Sequence, residues 1–206
     1  MSSRDDILAQ VRRNQPAGTP LPEVPLFDHG SGSLLERFKS ALLRMGGKLA
    51  DAPADGNLDT LVGRLFPEAK VVVCATPEVT GARPLDRKAP PSTLDDVDVG
   101  VVRAAFGVAE TGSVWLTDVD LGVNALAFLS QHLLVLLDPG RIVPNMHYAY
   151  REREHFGARY GVFMTGPSAT ADIEGVLIHG AQGIRSLTVV PVSARGDTPA
   201  VPTRKG

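Results

Sequence analysis

The sequence predicts an α/β fold, a mostly parallel sheet flanked by helices, and three observations carry that expectation. Short apolar runs rich in β-branched residues recur at 71–75, 97–101, 114–117, 133–138, 161–165 and 187–192. Several are apolar at nearly every position, which fits strands buried on both faces, as parallel sheets require. Between the runs lie segments whose apolar residues follow the 3.6-residue helical period. With 43% hydrophobic residues in a chain of 206, there is core enough for one good-sized domain.

The first ten or so residues fit a short helix: Ser3 caps it, Asp5 and Asp6 suit its positive end, and Ile7, Leu8 and Val11 share one face. Pro16, Pro20, Pro22 and Pro25 then make 15–25 an extended linker. The expected organisation is a helical arm and linker (1–25), one domain (26–193) and a loose tail (194–206).

Gly30-Ser31-Gly32-Ser33 opens the domain. Ser33 and Glu36 have capping-box spacing, and Leu34, Leu35, Phe38, Ala41, Leu42 and Met45 continue a helix to Gly46-Gly47. No strand precedes these glycines, so the pattern fits a helix start better than a dinucleotide loop. A second helix (Leu58, Leu61, Val62, Leu65) ends at Pro67, and further helices are expected at 144–156 and 170–179.

Composition excludes several function classes. Lys and Arg number 21 against 23 Asp and Glu, a net charge of −2, so there is no cationic excess to neutralise a nucleic-acid backbone. No apolar run approaches the roughly 20 residues of a membrane span, and the start carries no signal core, so a soluble cytoplasmic protein is expected. The lone Cys74 sits in an apolar run and reads as a core residue; one thiolate cannot assemble an ordinary iron–sulfur cluster. No metal site is expected: His147 and His155 share a predicted helix but stand two turns apart, about 12 Å.

Two stretches can carry chemistry. In the first, Glu110, Thr111, Gly112 and Ser113 gather a carboxylate, two hydroxyls and a glycine at a strand start. Glu110 suits a base, nucleophile or hydrogen-bond acceptor, while the bland alternative is a turn satisfied by its own hydroxyls. In the second, Gly166, Pro167, Ser168, Thr170, Asp172 and Glu174 make an apparent strand-to-helix turn. There free amides receive a ligand, or Ser168 or Thr170 simply caps the helix. Asp172 and Glu174 would repel a phosphate, favouring a hydroxyl-bearing or singly charged ligand. A Walker-type loop is absent. Arg141, Asn145, His147 and Tyr148 form a polar cluster in which His147 is an acid–base candidate or a surface histidine.

Taken together, 109–113, 166–174, Gly180-Ala181-Gln182-Gly183 and the strand to Pro191 resemble the lactate utilisation protein C family, whose core is the LUD domain. The opening Arg4-Asp5-Asp6-Ile7-Leu8 is similar to that family's start as well. The resemblance implies a fold similar to the sugar-phosphate isomerase and CoA transferase superfamily. It also implies a place in a three-protein system that oxidises L-lactate to pyruvate, with iron–sulfur clusters on the two partner proteins and no cofactor in this chain. Glu110, Thr111 and Gly112 match the family's E-T-G turn, and 166–174 match its G-P-S-x-T-A-D-I-E turn. Ala169 stands where the family usually has Arg, and Gln182 and Ile184 stand where it has His and Pro. A bound carboxylate then needs another clamp, for which Arg103, Arg141 and Arg185 are candidates.

The leading expectation is a LUD-domain subunit or accessory protein for lactate oxidation, with a small-ligand cleft between the Glu110 and Ser168 turns. A stand-alone enzyme using Glu110 on a CoA thioester, sugar phosphate or 2-hydroxy acid is the alternative. A non-catalytic assembly module acting through the arm is another.

Overall fold

The protein is described by a computed structural model, which covers residues 3–15, 18, 20, 22–27, 30–152, 157–172 and 174–193. Its centre is a six-stranded sheet made of β1 (Lys48–Leu49), β2 (Val72–Cys74), β3 (Arg83–Pro84), β4 (Val99–Arg103), β7 (His132–Leu137) and β12 (Ser186–Pro191). The strand order is β1-β12-β7-β4-β2-β3 and every pairing is parallel. The expected α/β fold with a mostly parallel sheet is therefore present; β2, β4, β7 and β12 end within about two residues of the runs read from the sequence, whereas the two-residue edge strands β1 and β3 were not foreseen.

Strand periodicity explains how both faces are covered. Leu133, Val135 and Leu137 of β7, with Leu187 and Val189 of β12, join Phe38 and Leu42 of α2 (Leu34–Arg44) in one core. The alternate residues Leu134, Leu136, Val99, Val101 and Val190 pack instead on Leu58, Leu61 and Val62 of α3 (Leu58–Leu65). Ser33 caps α2, its Oγ accepting from Glu36 N at 3.1 Å, and Asn57 caps α3 in the same way from Thr60 N.

A second sheet lies over the α2 side. It contains β8 (Ile142–Val143), β5 (Phe106–Val108), β6 (Ser113–Thr117) and β9 (Gly161–Met164), in that order. Here β6 runs antiparallel to both β5 and β9. Val114 and Leu116 face the main core, while Trp115 turns outward onto Phe106, Val108 and Phe163. The sequence reading foresaw neither this separate sheet nor β5, whose three residues include Gly107 and give too short a pattern to recognise. Two four-residue helices follow, α4 (Asp118–Leu121) and α5 (Leu126–Leu129). The first begins with a full capping box between Thr117 and Asp120.

Two predicted helices are corrected. The segment at 144–156 contains a single helical turn, α6 (Met146–Ala149), capped by Asn145; residues 153–156 fall outside those described. The segment at 170–179 is no helix: β10 (Ala169–Thr170) and β11 (Ile178–His179) pair antiparallel. Thr170 Oγ1 donates to Asp172 Oδ2 at 2.9 Å and accepts from Asp172 N, a local turn that competes with helix formation. Glu174 (φ 53°) and Gly175 (φ 70°) then turn the chain back with left-handed backbone.

At the N-terminus α1 (Ser3–Arg13) buries none of its residues. The residues that follow the linker make contact with the body. Asn145 Nδ2 donates to Leu26 O at 2.6 Å, and the Phe27 and His147 rings lie 5.0 Å apart. The predicted tail, 194–206, lies outside the described residues.

Candidate functional site

The two sequence-marked turns come together because β6 and β9 pair antiparallel, with Val114 opposite Met164. That register sets the residues before β6 beside those after β9, and Thr165 Oγ1 reaches Thr111 O at 3.5 Å. Both turns pack on α2. Gly112 has φ +66°, and a Cβ there would lie 2.2 Å from Leu42 N. Gly166 has φ +63°, and its Cβ would meet Met45 O at 2.0 Å. These glycines therefore let the turns touch helix backbone, a packing demand that accounts for them without a ligand. Ser113 is buried at the start of β6, and its N–H donates to Thr111 Oγ1 at 3.3 Å, the self-satisfied turn weighed above.

Glu110 lies on the exposed side of this junction. Its Oε2 accepts from Met146 N at 3.1 Å, and its own N–H donates to Pro144 O at the same distance. Arg37 Nη2 also donates to Pro144 O, at 3.3 Å. The carboxylate is thus tied on one side to the start of α6. On the other it borders a cleft of about 320 Å³ lined by Ser33, Glu36, Arg37, Ser40 and Arg44 of α2 and its cap. Residues 33, 37, 40 and 44 recur at helical spacing, so one polar face of α2 forms the wall. A volume of this size suits a small molecule. Two arginines and two carboxylates, Glu36 and Glu110, at one cleft can hold a carboxylate ligand and a hydroxyl at once.

The remaining candidates disperse. Pro167 packs on the turn after α2, at Gly46. Ser168 N donates to Ile184 O, Ser168 O accepts from Gly180 N, and the Ser168 side chain lies beside Gly183. Thr170, Asp172 and Glu174 belong to the β10–β11 hairpin. None of them borders the Glu110 cleft.

Arg103 ends β4 at the carboxyl edge of the main sheet. Its guanidinium is spent on Glu78 Oε1, through Nε at 2.7 Å and also Nη2, and on Val192 O at 3.2 Å. Arg141 lines a separate hollow of about 130 Å³ with Phe106 and Glu152. His147 is exposed and lies against Phe27. Cys74 is half-buried; burial pushes its thiol up from the ordinary value, and Sγ donates to Thr76 O at 3.0 Å. That environment disfavours a reactive thiolate.

Sequence reasoning missed Arg37, Ser40 and Arg44. They look like the solvent face of an amphipathic helix, and only the fold shows that this face meets Glu110.

The LUD-domain family profile matches residues 80–192, more than half of the chain. The chain belongs to the LUD-domain family. The matched residues include both turns, whereas the α2 wall of the cleft precedes them. This LUD-domain chain is 32% identical over 99 residues to a protein of Escherichia coli strain K12 named "Uncharacterized protein YkgG", covering 45% of this chain and 42% of the relative. It is 30% identical over 104 residues to "Lactate utilization protein C" of Halalkalibacterium halodurans, covering 47% and 45%. The chain thus spans less than half the length of these relatives. A solved structure of a DUF162 family protein from Deinococcus radiodurans matches 78% of this chain and 96% of its own, with TM-score 0.58 and 21% identity. That similarity shows a shared fold. Among the described residues no helix is long and apolar enough to cross a membrane.

Proposed function

We propose that this LUD-domain protein serves lactate utilisation as a subunit or accessory protein, binding a small 2-hydroxycarboxylate between α2 and Glu110. One observation carries the reading: Glu110, Arg37 and Arg44 border a single cleft. Arg37 or Arg44 pairs with the ligand carboxylate, and the other arginine, two helical turns away, offsets Glu36 on the same wall. Glu110, anchored through Met146 N, accepts the substrate hydroxyl. This cleft replaces the one expected between the Glu110 and Ser168 turns. The name carried by the H. halodurans relative supports the substrate class. The resemblance to the lactate utilisation protein C family implies electron transfer by two iron–sulfur partner proteins, which fits a chain with one cysteine.

The test is thermal stability of the purified protein with L-lactate, pyruvate and other 2-hydroxy acids. A ligand at about 100 times its Kd adds about 2.7 kcal/mol. The shift should vanish in Arg37→Met and weaken in Glu110→Gln. If none of these acids moves the transition, alone or with both partners added, the cleft is not a hydroxycarboxylate site.

The exposed α1 favours a complementary reading, an assembly arm. Ile7 and Val11 remain 58% and 52% exposed on one face of a short helix, which suits ordering against a partner. Removing residues 1–14 should then abolish co-purification with the partners and leave ligand binding intact.

A further inference from the structure

The amino edge of the main sheet holds a polar cluster that neither turn accounts for. Ser186 of β12 and His132 of β7 are direct partners across adjacent strands, and His132 Nδ1 lies 2.8 Å from Ser186 Oγ. Both project to the α3 side, since Leu134, Leu136 and Val190 on the same alternation pack against α3. Lys48 of β1 lies opposite Thr188, two residues beyond Ser186 on that same face. The Phe66 ring, at the end of α3, stacks on His132 at 5.1 Å and an interplanar angle of 27°. Further along this face the sheet is mostly apolar, with Thr188 buried within it, and Arg103 at the carboxyl edge is paired with Glu78; the amino edge is again polar and cationic.

We infer that Lys48, His132, Arg185 and Ser186 form a binding site for a small dianionic oxyanion of the phosphate class. Arg185 precedes Ser186 and its N–H donates to Gln131 O at 2.7 Å, which holds it beside the start of β7; it and Lys48 are exposed and Ser186 and His132 half-buried, so the site opens to solvent at the rim with Phe66 as an apolar wall. The nearby acid is Asp98, and its Oδ2 already accepts from Lys70 N at 2.7 Å and Val71 N at 2.9 Å. Positive charge is left over on a chain whose net charge is −2. Burial, then Arg185 and Lys48, push His132 below the usual histidine value, while Asp98 pulls the other way. A bound dianion reverses the balance. His132 takes a proton, Nδ1–H donates to Ser186 Oγ, and the freed Ser186 O–H donates to the anion alongside the Lys48 ammonium.

The experiment titrates inorganic phosphate into the full chain at constant ionic strength and follows the histidine imidazole resonances, with His132→Gln supplying the assignment. Saturable movement of the His132 signal, with an upward shift of its midpoint, is expected. Affinity should fall about tenfold in Lys48→Met or Arg185→Gln, exposed substitutions that leave the core untouched. Sulfate should compete and chloride should not. A His132 signal indifferent to phosphate overturns the site, as does movement matched by chloride or full affinity in both variants. The readout is independent of Glu110, so hydroxycarboxylate binding in the α2 cleft can fail while this site stands, or the reverse.

Discussion

At Gly112 two constraints coincide: left-handed backbone and helix backbone within 2.2 Å of any Cβ. Gly112→Ala should therefore cost about 2–5 kcal/mol, the sum of positive-φ strain and an overpacked contact, read from the urea midpoint. Glu110→Gln should change stability by less than about 1 kcal/mol, since the amide oxygen still accepts from Met146 N. An equally large loss in both variants would make Glu110 a structural tie and remove it from the chemistry. The E-T-G pattern was legible as a special turn, but its glycine answers to α2, 70 residues earlier in the chain, and no local pattern reveals such a partner. His132 adds a pH dependence. Its proton affinity is lowered in the folded protein, chiefly by burial, so below the ordinary value of 6.5 the unfolded chain binds the extra proton first. Stability should fall as pH drops from there towards the lower native value and stay flat above it. His132→Gln should remove that slope from pH-dependent urea melts.

Elements with a strong, buried pattern were readable, and those decided by local hydrogen bonds were not. The helix α2 announced itself through Ser33 and a 3.6-residue apolar stripe, because the same residues that define the period also fill the core. The segment after Ser168 misled because Thr170, Asp172 and Glu174 are the residues expected in a first helical turn. There the Thr170–Asp172 side-chain pair and left-handed Glu174 and Gly175 build a hairpin instead. Its loop keeps Val176 and Leu177 each 60% exposed. Val176→Ser and Leu177→Ser should shift stability by no more than about 0.5 kcal/mol, whereas Phe38→Ala in α2 should cost about 3–5 kcal/mol. A loss from the loop variants comparable to that of Phe38 would mean that the loop is packed, contrary to its exposure.

For the molecule as a whole, the N-terminal segment divides into a helix that buries none of its residues and, beyond the linker, Leu26 and Phe27, which are fastened to the body. Residues 3–13 bury no side chain, so a chain beginning at residue 15 should unfold at the same urea concentration and with the same m-value as the full chain. A chain beginning at residue 30 loses more. The Asn145 amide, on a residue only 4% exposed, forfeits Leu26 O, and the exposed His147 loses its Phe27 contact. One hydrogen bond from a buried amide and one ring contact are together worth about 1–3 kcal/mol, and the deficit should fall on α6, whose N-cap Asn145 is. Because Met146 N also holds Glu110, loosening α6 should weaken ligand binding at the α2 cleft even though every cleft residue is retained. The two truncations therefore separate the roles: the shorter one removes partner docking at unchanged stability, and the longer one lowers both stability and cleft affinity. Equal effects from both would mean that α1 itself packs on the domain, and the contact of Leu26 with Asn145 would then not be what couples the N-terminal segment to the site.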